Sequence, residues 1–98
     1  MREERPRSDQ GVYTISVAAG LVGLPAATLR QYEEKGLVEP ERTEGRTRLY
    51  SDEDIARLRR IAELSAQGVN MVGIGRILAL QEENARLRRS VRAAGGDP

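Results

Sequence analysis

The chain contains no cysteine, no histidine, no phenylalanine and no tryptophan, and one lysine among its 98 residues. Without cysteine there is no disulfide framework and no thiolate metal site. Without histidine as well, most metal sites and most nucleophile–base pairs of catalysis are excluded. No convergent pair of carboxylates takes their place, so neither an enzyme nor a cofactor is expected. Aromatics amount to 3%, all tyrosine, and the core is therefore expected to be aliphatic. No apolar run approaches the ~20 residues of a membrane span. The opening "MREERPRSDQG" lacks the apolar stretch of a secretory signal and reads as a disordered polar arm. On these grounds a cytoplasmic protein is expected.

What is present is mostly charge. Hydrophobic residues make up 39% and charged residues 32%, which is globular but lean, and the length suits one small domain with a thin core. The net charge of +1 conceals a bias: every basic residue except Lys35 is arginine. Arginine makes the planar, two-pronged contacts with phosphate and guanine that lysine cannot. A GC-rich genome also favours arginine codons, and that is the plainer reading of the bias taken alone.

The order of elements is more informative. "VYTI" (12–15) is a short extended lead-in, and Ser16 is placed to cap a first helix, "SVAAGLVG". "GLP" (23–25) punctuates it, with Pro25 suited to the first turn of a second helix, "AATLRQYEEK", ending at Gly36. Helix, tight turn and helix in about 20 residues is the helix-turn-helix pattern. Pro40 then bars a helix, and Glu44–Gly45 reads as the tip of a hairpin. Ser51 and Asp54 form a capping box opening a third helix, with Ile55, Leu58, Ile61 (or Ala62) and Leu64 along one face. Gly68 stops it. Asn70 caps a fourth helix carrying Ile74, Ile77 and Leu78, in which Gly73 and Gly75 suggest close packing on a neighbour. Beyond it Ile77, Leu80, Asn84, Leu87 and Val91 are spaced 3, 4, 3, 4, an a/d seam with a polar a position. The division expected is a polar arm over 1–11, a winged helix-turn-helix over 12–80, a coiled-coil-like dimerisation helix over 81–94 and a disordered tail over 95–98. A helix packed on its own domain is the plainer reading of the seam; a homodimer is favoured because so small a core offers those residues no other surface.

Two constellations carry chemistry. The second helix of a helix-turn-helix lies in the major groove of double-stranded DNA, its N-terminal half towards base edges. Here that half presents Ala26, Ala27, Thr28, Arg30 and Gln31, with Leu29 towards the core and Tyr32 partly buried. Small residues allow close approach, Thr28 offers a methyl or hydroxyl, Arg30 suits phosphate or guanine and Gln31 adenine. The second is "RTEGRTRLYS" (42–51), a wing whose Arg42, Arg46 and Arg48 would follow the phosphate backbone. Gly45 would allow the tight turn, and Tyr50 would pack on the domain with its hydroxyl free for a phosphate. Thr14, Ser16 and Thr47 complete the candidate DNA-binding set. A solvated loop is the plainer reading of the basic stretch, but residues 33–41 hold four Glu against one Lys, so charge is segregated rather than mixed.

The run "TLRQYEEKGLVEPERTEGRTRLYSDEDIARLRRIAELSAQGVNMVGIGRIL" resembles the DNA-binding domain of the MerR family of bacterial transcription regulators. The residues carrying the resemblance are Arg30, Tyr32, Glu33, Gly36, Leu37, Pro40, Arg42, Gly45, Arg48, Tyr50, Asp54 and Leu58, and it spans about residues 12–80. Within that family "YTISVAAGLVGL" and "LSAQGVNMVGIGRIL" look like the HspR branch of heat-shock repressors. The resemblance implies a mostly α winged helix-turn-helix with a small β-hairpin, acting at the nucleoid as an antiparallel dimer on an inverted repeat in promoters. For that branch it implies repression of chaperone operons with a DnaK-type chaperone as co-repressor. Three departures stand out: Pro25 where the family often has a capping Ser or Thr, a short tail after the fourth helix, and no effector domain, so that ligand or metal sensing within these residues is not expected. Two other classes share parts of the pattern. A MerR-like module that modulates a chaperone or co-chaperone without binding DNA has no need of three wing arginines. An excisionase-like architectural protein has no need of the third and fourth helices.

Overall fold

The computed structural model describes residues 6–95. Four helices and one hairpin follow in order: α1 (Ile15–Val22), α2 (Ala26–Glu34), β1 (Glu41–Arg42), β2 (Arg48–Leu49), α3 (Asp52–Ala66) and α4 (Met71–Ala93). The fold is thus mostly α with a two-stranded antiparallel sheet, Glu41 opposite Leu49 and Arg42 opposite Arg48. Tyr13 extends it by an isolated bridge to Tyr50, whose amide donates to the Tyr13 carbonyl at 2.7 Å.

Local chemistry explains most of the boundaries. The cap of α1 is Thr14, whose hydroxyl accepts from the Val17 amide at 3.4 Å, and not Ser16. Ser16 sits just inside the helix, exposed. Gly23 ends α1 in the left-handed conformation (φ 72), and both Gly23 and Leu24 donate back to the Ala19 carbonyl, closing a Schellman-type turn. Pro25 is the N-cap of α2 rather than its first-turn residue, and no side chain caps that end. The Ser51–Asp54 capping box at α3 forms in both directions. Asn70 caps α4 through the Gly73 amide at 2.8 Å.

The core joins Ala18, Leu29, Leu37, Val38, Ile55, Leu58, Ile61, Leu64, Ile74 and Leu78. It is not purely aliphatic: Tyr32 and Tyr50 are buried with them, Tyr50 completely. With so few large side chains available, two of the three tyrosines supply volume that Phe or Trp would give elsewhere. All four expected face residues of α3, including Ile61, are buried.

Two expected boundaries differ. Residues 7–11 of the arm are not free of structure. The Ser8 carbonyl takes the first-turn amide of Glu53, the Ser8 hydroxyl donates to the Glu53 carboxylate at 2.8 Å, and the Gly11 amide donates to Glu41 at 2.5 Å. A helix start leaves amides without internal partners, and this arm supplies one. The first five residues of the arm, and 96–98 of the tail, lie outside the described residues. The division between 80 and 81 falls inside one continuous helix, since α4 runs unbroken through both segments. A Cβ on Gly75 would sit 3.4 Å from Leu37 Cδ2, so α4 packs closely there on the segment after α2. Gly73 instead faces Val69, in the turn preceding its own helix.

Candidate nucleic-acid interface

Helix α2 presents its polar face as the periodicity requires. Leu29 is fully buried, Ala26 and Thr28 are half-buried, and Ala27, Arg30 and Gln31 are exposed. Tyr32 is more deeply buried than expected: it is 6% exposed and belongs to the core. Because Pro25 has no side-chain acceptor, the positive end of the α2 dipole is uncapped by protein side chains, and Pro25 itself is exposed.

The wing departs further. Glu44–Gly45 is indeed the tip, closed by the Arg46 amide on the Thr43 carbonyl at 2.9 Å and by Thr43 and Thr47 pairing through their backbones. The left-handed residue, however, is Arg46 (φ 70) and not Gly45, which has an ordinary φ. Glycine at 45 leaves the tip without a side chain; it does not relieve the strained position. Thr47 is exposed, its amide taken by the Thr43 hydroxyl at 3.1 Å.

The charge is not segregated. Glu33, in the last turn of α2, accepts from Arg42 Nη2 at 2.9 Å and from Arg48 Nε at 2.5 Å. Burial acts to raise the Glu33 pKa, but the two guanidinium hydrogen bonds outweigh it and hold the carboxyl below its ordinary value. Arg46 has no ion pair among the described residues. The Tyr50 hydroxyl is not free for a phosphate: it is buried and has no hydrogen-bond partner among the described residues. Burial is also the first reason its ionisation is pushed up. Thr14 spends its hydroxyl on the α1 cap.

Sequence reasoning missed the role of Glu33 because its partners lie 9 and 15 residues away, beyond the reach of helical or strand periodicity. It missed Arg57 for the same reason. Arg57 donates to the Leu37 carbonyl just after α2 and to Glu82 of α4 at 2.6 Å, tying three elements together.

On the seam side, Ile77 is half-buried, while Leu80, Leu87 and Val91 are 69%, 55% and 53% exposed. They line one face with Asn84 along α4, forming two shallow adjoining hollows. Among the described residues no group of side chains is arranged to hold a metal ion, and no helix is long and apolar enough to cross a membrane.

Known proteins fit this geometry. The model of the MerR HTH family of regulatory proteins matches residues 13–81. A Streptomyces coelicolor protein provisionally named heat shock protein HspR is 52% identical over 81 residues, covering 82% of this chain and 54% of its own. The HTH-type transcriptional regulator GlnR of Bacillus anthracis is 39% identical, covering 84% of this chain and 62% of its own. The chain therefore spans between half and two thirds of the length of these relatives. Among solved structures, HiNmlR, a MerR family regulator lacking the sensor domain and bound to promoter DNA, superposes with a TM-score of 0.63 at 27% identity, covering 84% of this chain and 74% of that one. The N-terminal part of MtaN, the Bacillus subtilis multidrug transporter activator, gives 0.65 at 26%, covering 86% and 89%. On the match across residues 13–81, and on the identity to these relatives, this chain belongs to the MerR family of helix-turn-helix regulatory proteins.

Proposed function

We propose that the chain is a sequence-specific DNA-binding transcription regulator that acts as a homodimer on an inverted repeat in promoters. The observation that carries this is the exposed face of α2, with Ala27, Arg30 and Gln31, beside a wing whose Arg46 has no ion pair among the described residues. In this reading α2 enters the major groove, Gln31 and Thr28 read base edges, and Arg30 and the uncapped helix start meet phosphate. Helix α4 supplies the dimer seam through Ile77, Leu80, Asn84, Leu87 and Val91, in antiparallel orientation. The test is binding to a duplex enriched from a random pool and to an unselected duplex of equal length. A specific regulator binds the first ~10³-fold or more tightly than the second. Equal affinity for both rejects the reading.

The likeness to a protein named for heat shock supports a finer assignment: repression of stress or chaperone genes at the nucleoid, with a DnaK-type chaperone as co-repressor. A chaperone that binds only the folded, DNA-competent dimer stabilises it by mass action, and misfolded clients titrate that chaperone away during stress. Binding to the enriched duplex at growth and heat-shock temperatures, with and without the host chaperone, tests this. Affinity that is the same in all four conditions rejects the stress assignment and leaves the DNA-binding one standing.

A further inference from the structure

The recognition helix and the wing meet at one carboxylate. Each oxygen of Glu33 takes a different guanidinium, Oε2 that of Arg42 and Oε1 that of Arg48. Arg42 and Arg48 face each other across the β1–β2 ladder, so Glu33 grips both strands at the same rung. The second amino group of Arg42 donates to the Arg46 carbonyl at 3.0 Å, which carries the restraint from the rung to the turn. The three clamped side chains are sheltered: Glu33 is 19% exposed, Arg48 25% and Arg42 32%. The Arg46 side chain lies outside this network, exposed, on a residue held in the left-handed conformation.

The wing arginines are therefore not equivalent. A guanidinium whose charge is already balanced by a carboxylate offers little net charge to a phosphate, and breaking the pair would leave the carboxylate bare beside the DNA. Arg46 has no such partner to lose among the described residues. We propose that Glu33 is a positioning residue for DNA recognition: by clamping Arg42 and Arg48 it fixes the wing against α2, and it leaves Arg46 as the wing arginine that meets phosphate. The proposal rests on the DNA-binding reading above. Its consequence is that the same charge change has opposite effects on two quantities. Removing the Glu33 charge frees two arginines for phosphate, which strengthens non-specific binding, and lets the wing drift from the helix, which weakens discrimination.

Affinity for the enriched and the unselected duplex, measured across a salt series for wild type, Glu33→Gln, Arg46→Ala and Arg48→Ala, separates these roles. The slope of log affinity against log salt changes by ~0.9 for each phosphate that the protein neutralises or releases. Arg46→Ala flattens the slope by about that amount on both duplexes and preserves the ratio between them. Glu33→Gln steepens the slope by about 1 to 2 and lowers the ratio ~10-fold or more, because the freed arginines neutralise further phosphates. Arg48→Ala lowers the ratio but moves the slope by less than roughly 0.3, well short of one phosphate. A merely structural role for Glu33 has no means of steepening the slope. A Glu33→Gln protein with wild-type slope and ratio overturns the proposal. So does an Arg48→Ala protein whose slope flattens as much as that of Arg46→Ala. Far-UV circular dichroism checks the fold of Glu33→Gln, and if that variant does not fold, the Arg46 and Arg48 comparison decides the matter alone. Wild-type protein with no preference between the duplexes defeats the DNA-binding reading itself, and that result is visible before any variant is measured.

Discussion

Tyr50 and Glu33 sit at the same junction and are held by opposite means. Tyr50 is fully buried, yet its hydroxyl has no partner among the described residues. Leaving a buried hydroxyl unpaired costs about 1–3 kcal/mol, whereas removing it while keeping the ring leaves the packing intact. Tyr50→Phe is thus expected to stabilise the fold by about 1 kcal/mol, read as a rise of several degrees in melting temperature, with DNA affinity retained. A fall in melting temperature would mean that the hydroxyl is satisfied after all. Glu33 is fully paired, and its stabilising effect depends on its charge. Its pKa in the folded protein lies below the ordinary value of 4.5, so its stabilisation is complete above 4.5 and is lost as pH falls through the lower folded-state value. The gap in melting temperature between wild type and Glu33→Gln is expected to be widest near neutrality and to close on acidification below that range. Thermal melts from neutral pH down to about pH 3 check it, that being below ordinary carboxylate values. A gap independent of pH would show that the Glu33 charge contributes nothing to the clamp.

Among the elements, α1 carries a glycine whose cost to the helix can be measured in isolation. Gly20 is exposed within the helix, and a Cβ there would meet nothing within 4 Å. Gly20→Ala is expected to raise stability by about 0.5–1 kcal/mol, because it removes the backbone freedom that glycine contributes to the unfolded chain. Gly11→Ala is expected to do the reverse. Its Cβ would lie 2.6 Å from the Leu49 carbonyl oxygen, backbone that cannot easily move, so the arm would be pushed off the hairpin. Urea titration of both variants checks the pair, and two shifts of the same sign would contradict it. The same elements mark what could be read from sequence. The Ser51–Asp54 box and the Asn70 cap are legible because each is a contact across three residues whose chemistry admits one outcome. Thr14 and Ser16 are both hydroxyl residues beside one helix start, so the pattern could not choose between them. At the wing, Gly45 marked the turn correctly but not the residue with positive φ, because position within the turn is set by how the strands pair. The Glu33 clamp and the Ser8–Glu53 contact were illegible, since each depends on chain segments meeting only after the core has formed.

At the scale of the whole molecule, the outer half of α4 has no partner within the described residues beyond a single brace. From Ala79 onwards every described residue is exposed, and the helix is held to the domain there by the Arg57–Glu82 pair. Burying a large aliphatic side chain stabilises by about 1.5–3 kcal/mol, and Leu80, Leu87 and Val91 from each of two copies could be covered together. Association costs roughly 4–15 kcal/mol in lost freedom, so a seam this short gives a weak dimer, one that an inverted repeat tightens by binding both copies at once. Leu80→Asp and Leu87→Asp are each expected to leave only monomer in sedimentation, and association like wild type would mean that the seam is not the interface. Orientation can be read separately, because the chain has no cysteine of its own. In an antiparallel pair centred on Asn84, Leu80 of one copy meets Leu87 of the other. Two residues at position 80 are then offset by about eight residues along the axis, ~12 Å at 1.5 Å per residue, which is beyond the ~4.4–6.8 Å that a disulfide spans between Cα atoms. Under mild oxidation Leu80→Cys alone should therefore remain uncrosslinked, while the double variant Leu80→Cys with Leu87→Cys should run as a covalent dimer. If Leu80→Cys alone crosslinks readily, the two helices run parallel and the antiparallel seam is rejected.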